Sequence, residues 1–153
     1  MSSISTRENV AIFWDYENCQ PASTGSGYSL VHNLRRLACH YGDVTLFKAY
    51  LEATPTATPR PLTLRSELQS SGVSLTDCPH NGRKDVADKM MLVDMLAFAI
   101  DNPTPSTVIL VSGDRDFAYA VSMLRLRRYR VVIIAPPTIH MSLKAQASAL
   151  FDW

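Results

Sequence analysis

Val108-Ile109-Leu110-Val111-Ser112-Gly113-Asp114-Arg115-Asp116-Phe117 is an apolar run that stops abruptly at two aspartates. The apolar half reads as a buried strand, which places both aspartates at its carboxyl end. In an open α/β sheet the crevice beyond the strand ends is where ligands bind. Two carboxylates there, one residue apart, point to a divalent metal. Fold and function then turn on which other segments bring carboxylates to the same edge.

Upstream, Val10-Ala11-Ile12-Phe13-Trp14 is a short β-favouring run that ends at Asp15 and leads into Tyr16, Glu17 and Asn18. A Pro/Ser/Thr/Gly-rich turn from Pro21 to Gly27 precedes a helical pattern of Leu30, Val31, Leu34, Leu37 and Ala38, stopped by Gly42. Residues 44–50 read as a second strand, 54–61 as a loop holding three of the nine prolines, and 62–71 as a short amphipathic helix. Residues 73–77 form a weaker third strand, followed by a polar loop with His80, Arg83 and Lys84. The longest helical pattern, Asp85 to about Ile100, carries apolar residues on most sides, which predicts extensive burial. After the opening stretch come a helix over 117–126, a fifth strand over 130–135, the stop Pro136-Pro137, and a last helix predicted over 142–151. Strict alternation of strand and helix argues an α/β fold, a mainly parallel sheet with helices on both faces.

Composition supports one ordinary globular domain. The 153 residues are 46% hydrophobic and 19% charged, far from the disordered classes. No apolar run reaches the length of a membrane span and residues 1–9 lack a signal-peptide core, so the expectation is an intracellular, cytoplasmic protein. The net charge of +1 gives no global pull on a polyanion, although Arg125, Arg127, Arg128 and Arg130 cluster, as do Arg83 and Lys84. Each basic cluster reads either as a solvated surface or as a phosphate contact. Cys19, Cys39 and Cys78 form no CxxC pair, which argues against a disulfide framework or zinc.

In a parallel sheet all strands end at one edge, so loops distant in sequence meet there. Asp15 and Asn18 follow the first strand, Asp85 and Asp88 open the long helix, and Asp114 and Asp116 follow the fourth strand. Asp85 and Asp88 are three residues apart and share a helix face, whereas Asp94 lies roughly 120° further around the axis. Singly, each acid has a bland reading: a first-turn residue, a cap for the helix after Gly113, or a turn residue. Arriving jointly they repel one another unless a cation neutralises them. Oxygen donors with few His or Cys nearby suit Mg²⁺ or Mn²⁺. No Walker A or GxGxxG sequence is present, which leaves phosphodiester hydrolysis as the leading reaction.

Phe13-Trp14-Asp15-Tyr16-Glu17-Asn18-Cys19, Lys84-Asp85-Val86-Ala87-Asp88-Lys89 and Val108 to Phe117 together resemble, in order and spacing, the NYN branch of PIN-like ribonucleases, particularly the limkain type. The resemblance covers roughly residues 9 to 150. It implies a three-layer α/β/α Rossmann-like sandwich, a single NYN/PIN-like domain over 9–153 after a short tail at 1–8, and an endoribonuclease-type hydrolase. By the same resemblance Asp15, Asp88, Asp114 and Asp116 hold Mg²⁺ or Mn²⁺, and a metal-activated water cleaves single-stranded RNA. Asn18 and Ser112 support those acids, with Asp85 and Asp94 further candidates. Arg83, Lys84, Arg115, Arg125 and Arg128 are the expected RNA contacts, although Arg115 sits between two acids and fits internal neutralisation equally well. In limkain-type relatives the second acid of the fourth-strand motif can be replaced; here both are present, which favours a competent site.

Two other classes compete. One is a non-catalytic RNA-binding or protein-interaction module on the same fold, favoured by the low net charge. The other is a small-molecule phosphohydrolase, which requires a closed pocket. Self-association as a homodimer is expected if Leu143, Ala147, Leu150, Phe151 and Trp153 cover a neighbouring copy rather than this sheet.

Overall fold

A run such as Val108–Val111 is apolar at every position, which a strand tolerates only when both of its faces are covered. The computed structural model, which describes residues 7–53, 62–79 and 85–153, gives that arrangement. The strands are β1 (Asn9–Asp15), β2 (Asp43–Ala53), β3 (Ser74–Pro79), β4 (Ser106–Val111), β5 (Arg130–Ala135) and β6 (Ala149–Asp152). Every residue of β4, and all of β1 but its first, is buried. All pairings are parallel, in the order β3-β2-β1-β4-β5-β6. Strand order therefore reverses between β1 and β4, which makes their shared carboxyl edge the topological switch point.

Helices α1 (Gly27–Cys39) and α2 (Leu62–Ser70) cover one face, where Val31, Leu34, Ala38 and Leu68 pack with Val10, Ile12, Trp14, Ile109 and Val132. Helices α3 (Val86–Asp101), α4 (Ala118–Leu126) and α5 (Met141–Lys144) cover the other, where Met91, Met95, Phe98, Val121, Leu124 and Leu143 pack with Phe13, Tyr50, Leu110 and Ile133. The alternation Ile12/Phe13/Trp14 thus feeds two separate cores, with Asp15 on the same side as Phe13. Ser26 caps α1 by accepting from the Ser29 N–H at 3.3 Å.

Two expectations change. The predicted last helix stops at Lys144, and residues 149–152 form β6 instead. The physical reason is the outer edge of β5: Ser148 N–H donates to the Val131 carbonyl at 2.8 Å, Ser148 Oγ accepts from Val131 N–H at 3.0 Å, and β6 pairs with the rest of that edge. Backbone groups that would otherwise stand unpaired outweigh a modest helical pattern. Leu143 enters this chain's own core, and Trp153 stacks at a centroid distance of 5.7 Å on Trp14. The described residues therefore give the expected homodimer no support. The second change concerns α3, which buries Ala87, Met91, Met95 and Phe98 but leaves Val93, Leu96 and Ile100 exposed, because only one layer packs against it. Among the described residues no helix is long and apolar enough to cross a membrane.

Gly42 turns the chain into β2 against the Glu8 carbonyl; a Cβ placed there would lie 2.1 Å from that oxygen. Gly42→Ala must displace the start of β1 or β2, at a cost of about 2 kcal/mol or more. A thermal melt should show a fall of about 5 °C or more, and an unchanged melting temperature would refute this steric argument.

Candidate metal centre

The acids reach the switch point from three elements. Asp15 ends β1 and is only 5% exposed. Asp114 follows β4 after Ser112 and Gly113, and Asp88 lies in the first turn of α3. Carboxylate oxygens of Asp15, Asp88 and Asp114 all lie within 4.8 Å of one another. Such a set matches the oxygen coordination that Mg²⁺ or Mn²⁺ takes.

Hydrogen bonds fix this geometry from behind. Ser112, fully buried, donates through Oγ to Asp15 Oδ2 at 2.8 Å and accepts from the Asp114 N–H at 3.1 Å. Asn18 Oδ1 accepts from the Gly113 N–H at 2.8 Å, tying the loop after β1 to the loop after β4. Gly113 is closely surrounded: a Cβ would lie 3.3 Å from Asn18 Oδ1, from Ile139 Cα and from Pro136 Cδ, so a side chain there would need these neighbours to give by a few tenths of an ångström. Two tryptophans clamp the loop after β1, since the Trp14 indole donates to the Cys19 carbonyl at 2.8 Å and the Trp153 indole to the Gln20 carbonyl at 3.1 Å.

The remaining sequence candidates separate. Asp116 is exposed and outside the close trio; its backbone N–H donates to Asp114 Oδ1 at 2.9 Å, so Asp114 caps the 3₁₀ turn Arg115–Phe117 while facing the other acids. Asp85 precedes α3 and pairs with Lys89 at 3.2 Å, one helical turn on. Asp94 faces β2, where it accepts from Lys48 Nζ at 2.7 Å and Tyr50 Oη at 2.6 Å. Arg115 is exposed beside the acids, Arg125 donates to the Gln146 carbonyl at 3.0 Å, and Arg128 adopts a positive φ of 71° just past α4. Arg83, Lys84 and His80 lie outside the described residues. The role of Trp153 and the Lys48–Asp94–Tyr50 group were not found from sequence. Strand register would have revealed the latter, because Phe13 pairs with Lys48 and Asp15 with Tyr50 on one face.

Burial chiefly pushes the Asp15 carboxyl up to about 6, against the hydrogen bonds from Ser112 and Asn18 that favour its charge. Asp88 is pushed up to about 7, first by burial and then by the charges of Asp15 and Asp114. These acids are thus hard to ionise together without a cation.

The NYN domain family model matches residues 9–152. The chain belongs to the NYN domain family. Meiosis regulator and mRNA stability factor 1 of Xenopus tropicalis is 28% identical to this NYN chain over 130 residues, covering 82% of it and 7% of the relative. The Gallus gallus protein of the same description is 27% identical over 130 residues, with the same coverage. The NYN chain therefore spans about 7% of the length of the curated relatives it matches. A crystal structure of a Vibrio parahaemolyticus protein of unknown function superposes with a TM-score of 0.74 at 24% identity, covering 99% of this chain and 96% of that one, and shares the fold. The NYN family is one of PIN-like nucleases, consistent with a three-layer α/β architecture and an acidic trio at the switch point.

The raised values have a definite sign. Between the usual 3.8 of an unfolded Asp and the folded values of about 6 and 7, the native state binds more protons than the unfolded chain. This contribution is therefore intact below about pH 4 and is lost as pH rises through 6 to 7. Metal-free protein should melt at a lower temperature at pH 8 than at pH 5, and Mn²⁺ should raise the melting temperature more at pH 8. Equal Mn²⁺ effects at both pH values would contradict the assigned coupling.

Proposed function

We propose that this NYN domain is a divalent-metal-dependent ribonuclease that hydrolyses phosphodiester bonds within single-stranded RNA. The observation that carries the reading is the convergence of Asp15, Asp88 and Asp114 oxygens within 4.8 Å from three separate elements. Three carboxylates at that spacing are mutually destabilising alone and complementary to Mg²⁺ or Mn²⁺. A bound divalent ion polarises a phosphoryl oxygen and lowers the pKa of water at the site.

The chain's own residues supply position and charge. Hydrogen bonds from Ser112 and the Asn18 backbone favour the charged form of Asp15 against its burial, and Ser112 and the Asp116 N–H orient Asp114. Asp116, exposed at the rim, adds negative charge felt by Asp88 and is a candidate outer contact. Arg115, exposed and next to Asp114 in the chain, is a candidate contact for a scissile or neighbouring phosphate. Arg128, Arg83 and Lys84 extend the candidate phosphate contacts. Arg125 is engaged with the Gln146 carbonyl and serves the α4–α5 junction as well. Placement on the open carboxyl edge of the sheet suits an internal segment of a strand, and the description of the relatives as mRNA stability factors is consistent with RNA as the substrate class.

Cleavage of an end-labelled single-stranded RNA in Mn²⁺ or Mg²⁺ tests the reading. Asp15→Asn and Asp114→Asn should each lower the rate by more than about 100-fold, above the 10–100-fold typical of outer residues at metal sites. EDTA should abolish cleavage. Activity that survives both substitutions and EDTA would refute the proposal, and saturable RNA binding with no cleavage would identify a non-catalytic module.

A further inference from the structure

We infer that the groove along α1 is a second contact surface for single-stranded RNA, gripping the phosphodiester backbone beyond the acidic site. This rests on the ribonuclease reading above. The helix buries Val31, Leu34 and Ala38 and turns Tyr28, His32, Arg35, Arg36 and His40 to solvent. Positions 28, 32 and 35 fall within an arc of about 60°, with 36 and 40 alongside, so aromatic and cationic groups line one face. That face and Ser71, just past α2, border a groove of about 680 Å³ with no acidic residue in its lining.

Five cations sit in ion pairs: Arg7 with Asp43, Lys48 with Asp94, Arg65 with Asp77, Lys89 with Asp85 and Arg130 with Glu8. Arg35 and Arg36 have no such counter-ion among the described residues, and α1 itself contains no acid. Glu67, the nearby acid of α2, accepts from the Gly27 N–H at 3.3 Å. In a chain of net charge +1, two adjacent uncompensated arginines mark a local attraction for a polyanion that the total charge conceals.

Direction supports RNA as the occupant. α1 begins after the loop from Asp15, near the carboxyl edge, and ends near the opposite edge, where Arg7 donates to the Cys39 carbonyl at 2.7 Å. The face therefore leads away from the acids for about 18 Å, the length of several nucleotides. Tyr28, at the end nearer the acids, offers a stacking surface, and the two guanidinium groups offer forked donors to phosphate. A membrane surface fits less well, because an interfacial helix needs an exposed apolar side and the aliphatic side chains of α1 face the core.

Binding of labelled single-stranded RNA of about 20 and about 4 nucleotides, lengths spanning a typical single-strand site, tests the inference. Anisotropy is read between about 50 and 200 mM salt in EDTA, with the full chain. The double variant Arg35→Gln/Arg36→Gln should weaken the longer RNA about tenfold and reduce the salt slope by about 1.4, at roughly 0.7 per lost phosphate contact. It should leave binding and metal-dependent cleavage of the shorter RNA unchanged, and Arg35→Lys/Arg36→Lys should restore most of the affinity. Unchanged affinity and slope at an unchanged melting temperature would overturn the inference. So would equal losses for both lengths, or loss of phosphatidylserine-vesicle binding with RNA affinity intact. Groove-dependent binding without any cleavage would uphold the inference and refute the ribonuclease reading; cleavage without groove dependence would do the reverse.

Discussion

The pairing of β1 with β4 is the constraint on which the molecule depends. These strands lie side by side although 90 residues lie between Asp15, the last of β1, and Ser106, the first of β4. Everything between them must leave and return on the β2–β3 side, and everything after them must continue outward through β5 and β6. The reversal leaves a gap at the carboxyl edge that no crossover fills. Asp15 and Asp114 stand on its two sides, and Ser112 bridges them through one hydroxyl. A hydrogen bond between the loops after the central strands thus belongs both to the fold and to the site.

Stability and chemistry pull in opposite directions here. The apolar interior is divided into two cores by the sheet, and the polar tips of Trp14, Tyr50 and Tyr129 within them are hydrogen-bonded. At the carboxyl edge the same sheet holds carboxylates whose burial disfavours their charge. Hydrogen bonds from Ser112 and Asn18 offset part of that penalty for Asp15, whereas Asp88 meets the like charges of Asp15, Asp114 and Asp116. The arrangement is intelligible as preparation for a positive charge, and it accounts for the dense hydrogen bonding behind the acids.

Much of this was legible in the sequence. Val10–Trp14, Val108–Val111 and Val131–Ala135 are apolar in the way buried parallel strands must be, and each lies in a central or near-central strand. Asp15, Asp88 and Asp114 could be brought together on paper because parallel strands share one edge. Residues 149–152 depart from the helix expected there because helical spacing of Leu143, Ala147 and Leu150 is a local signal, while the demand of the β5 edge for hydrogen-bond partners is not. Asp94 could be placed on another side of its helix, but its partners Lys48 and Tyr50 depended on register, which no local pattern specifies. Val93, Leu96 and Ile100 show the same limit: an apolar residue on a helix reports a preference, and the neighbouring layer decides whether it is met.

Gly113 joins three otherwise separate loops. Its amide hydrogen belongs to Asn18 after β1, its carbonyl accepts from the His140 N–H at 3.2 Å, and its Cα faces the 136–139 segment after β5. With no side chain to act as a compliant spacer, the loops after β4 and β5 are in direct backbone contact, and the loop after β1 joins them through the Asn18 amide. A displacement in the segment after β5 reaches the acids as movement of main chain, not as a rotamer change that could be absorbed on the way. The placement of Asp15 and Asp114 is consequently a collective property of the loops after β1, β4 and β5, whereas Asp88 is held by α3.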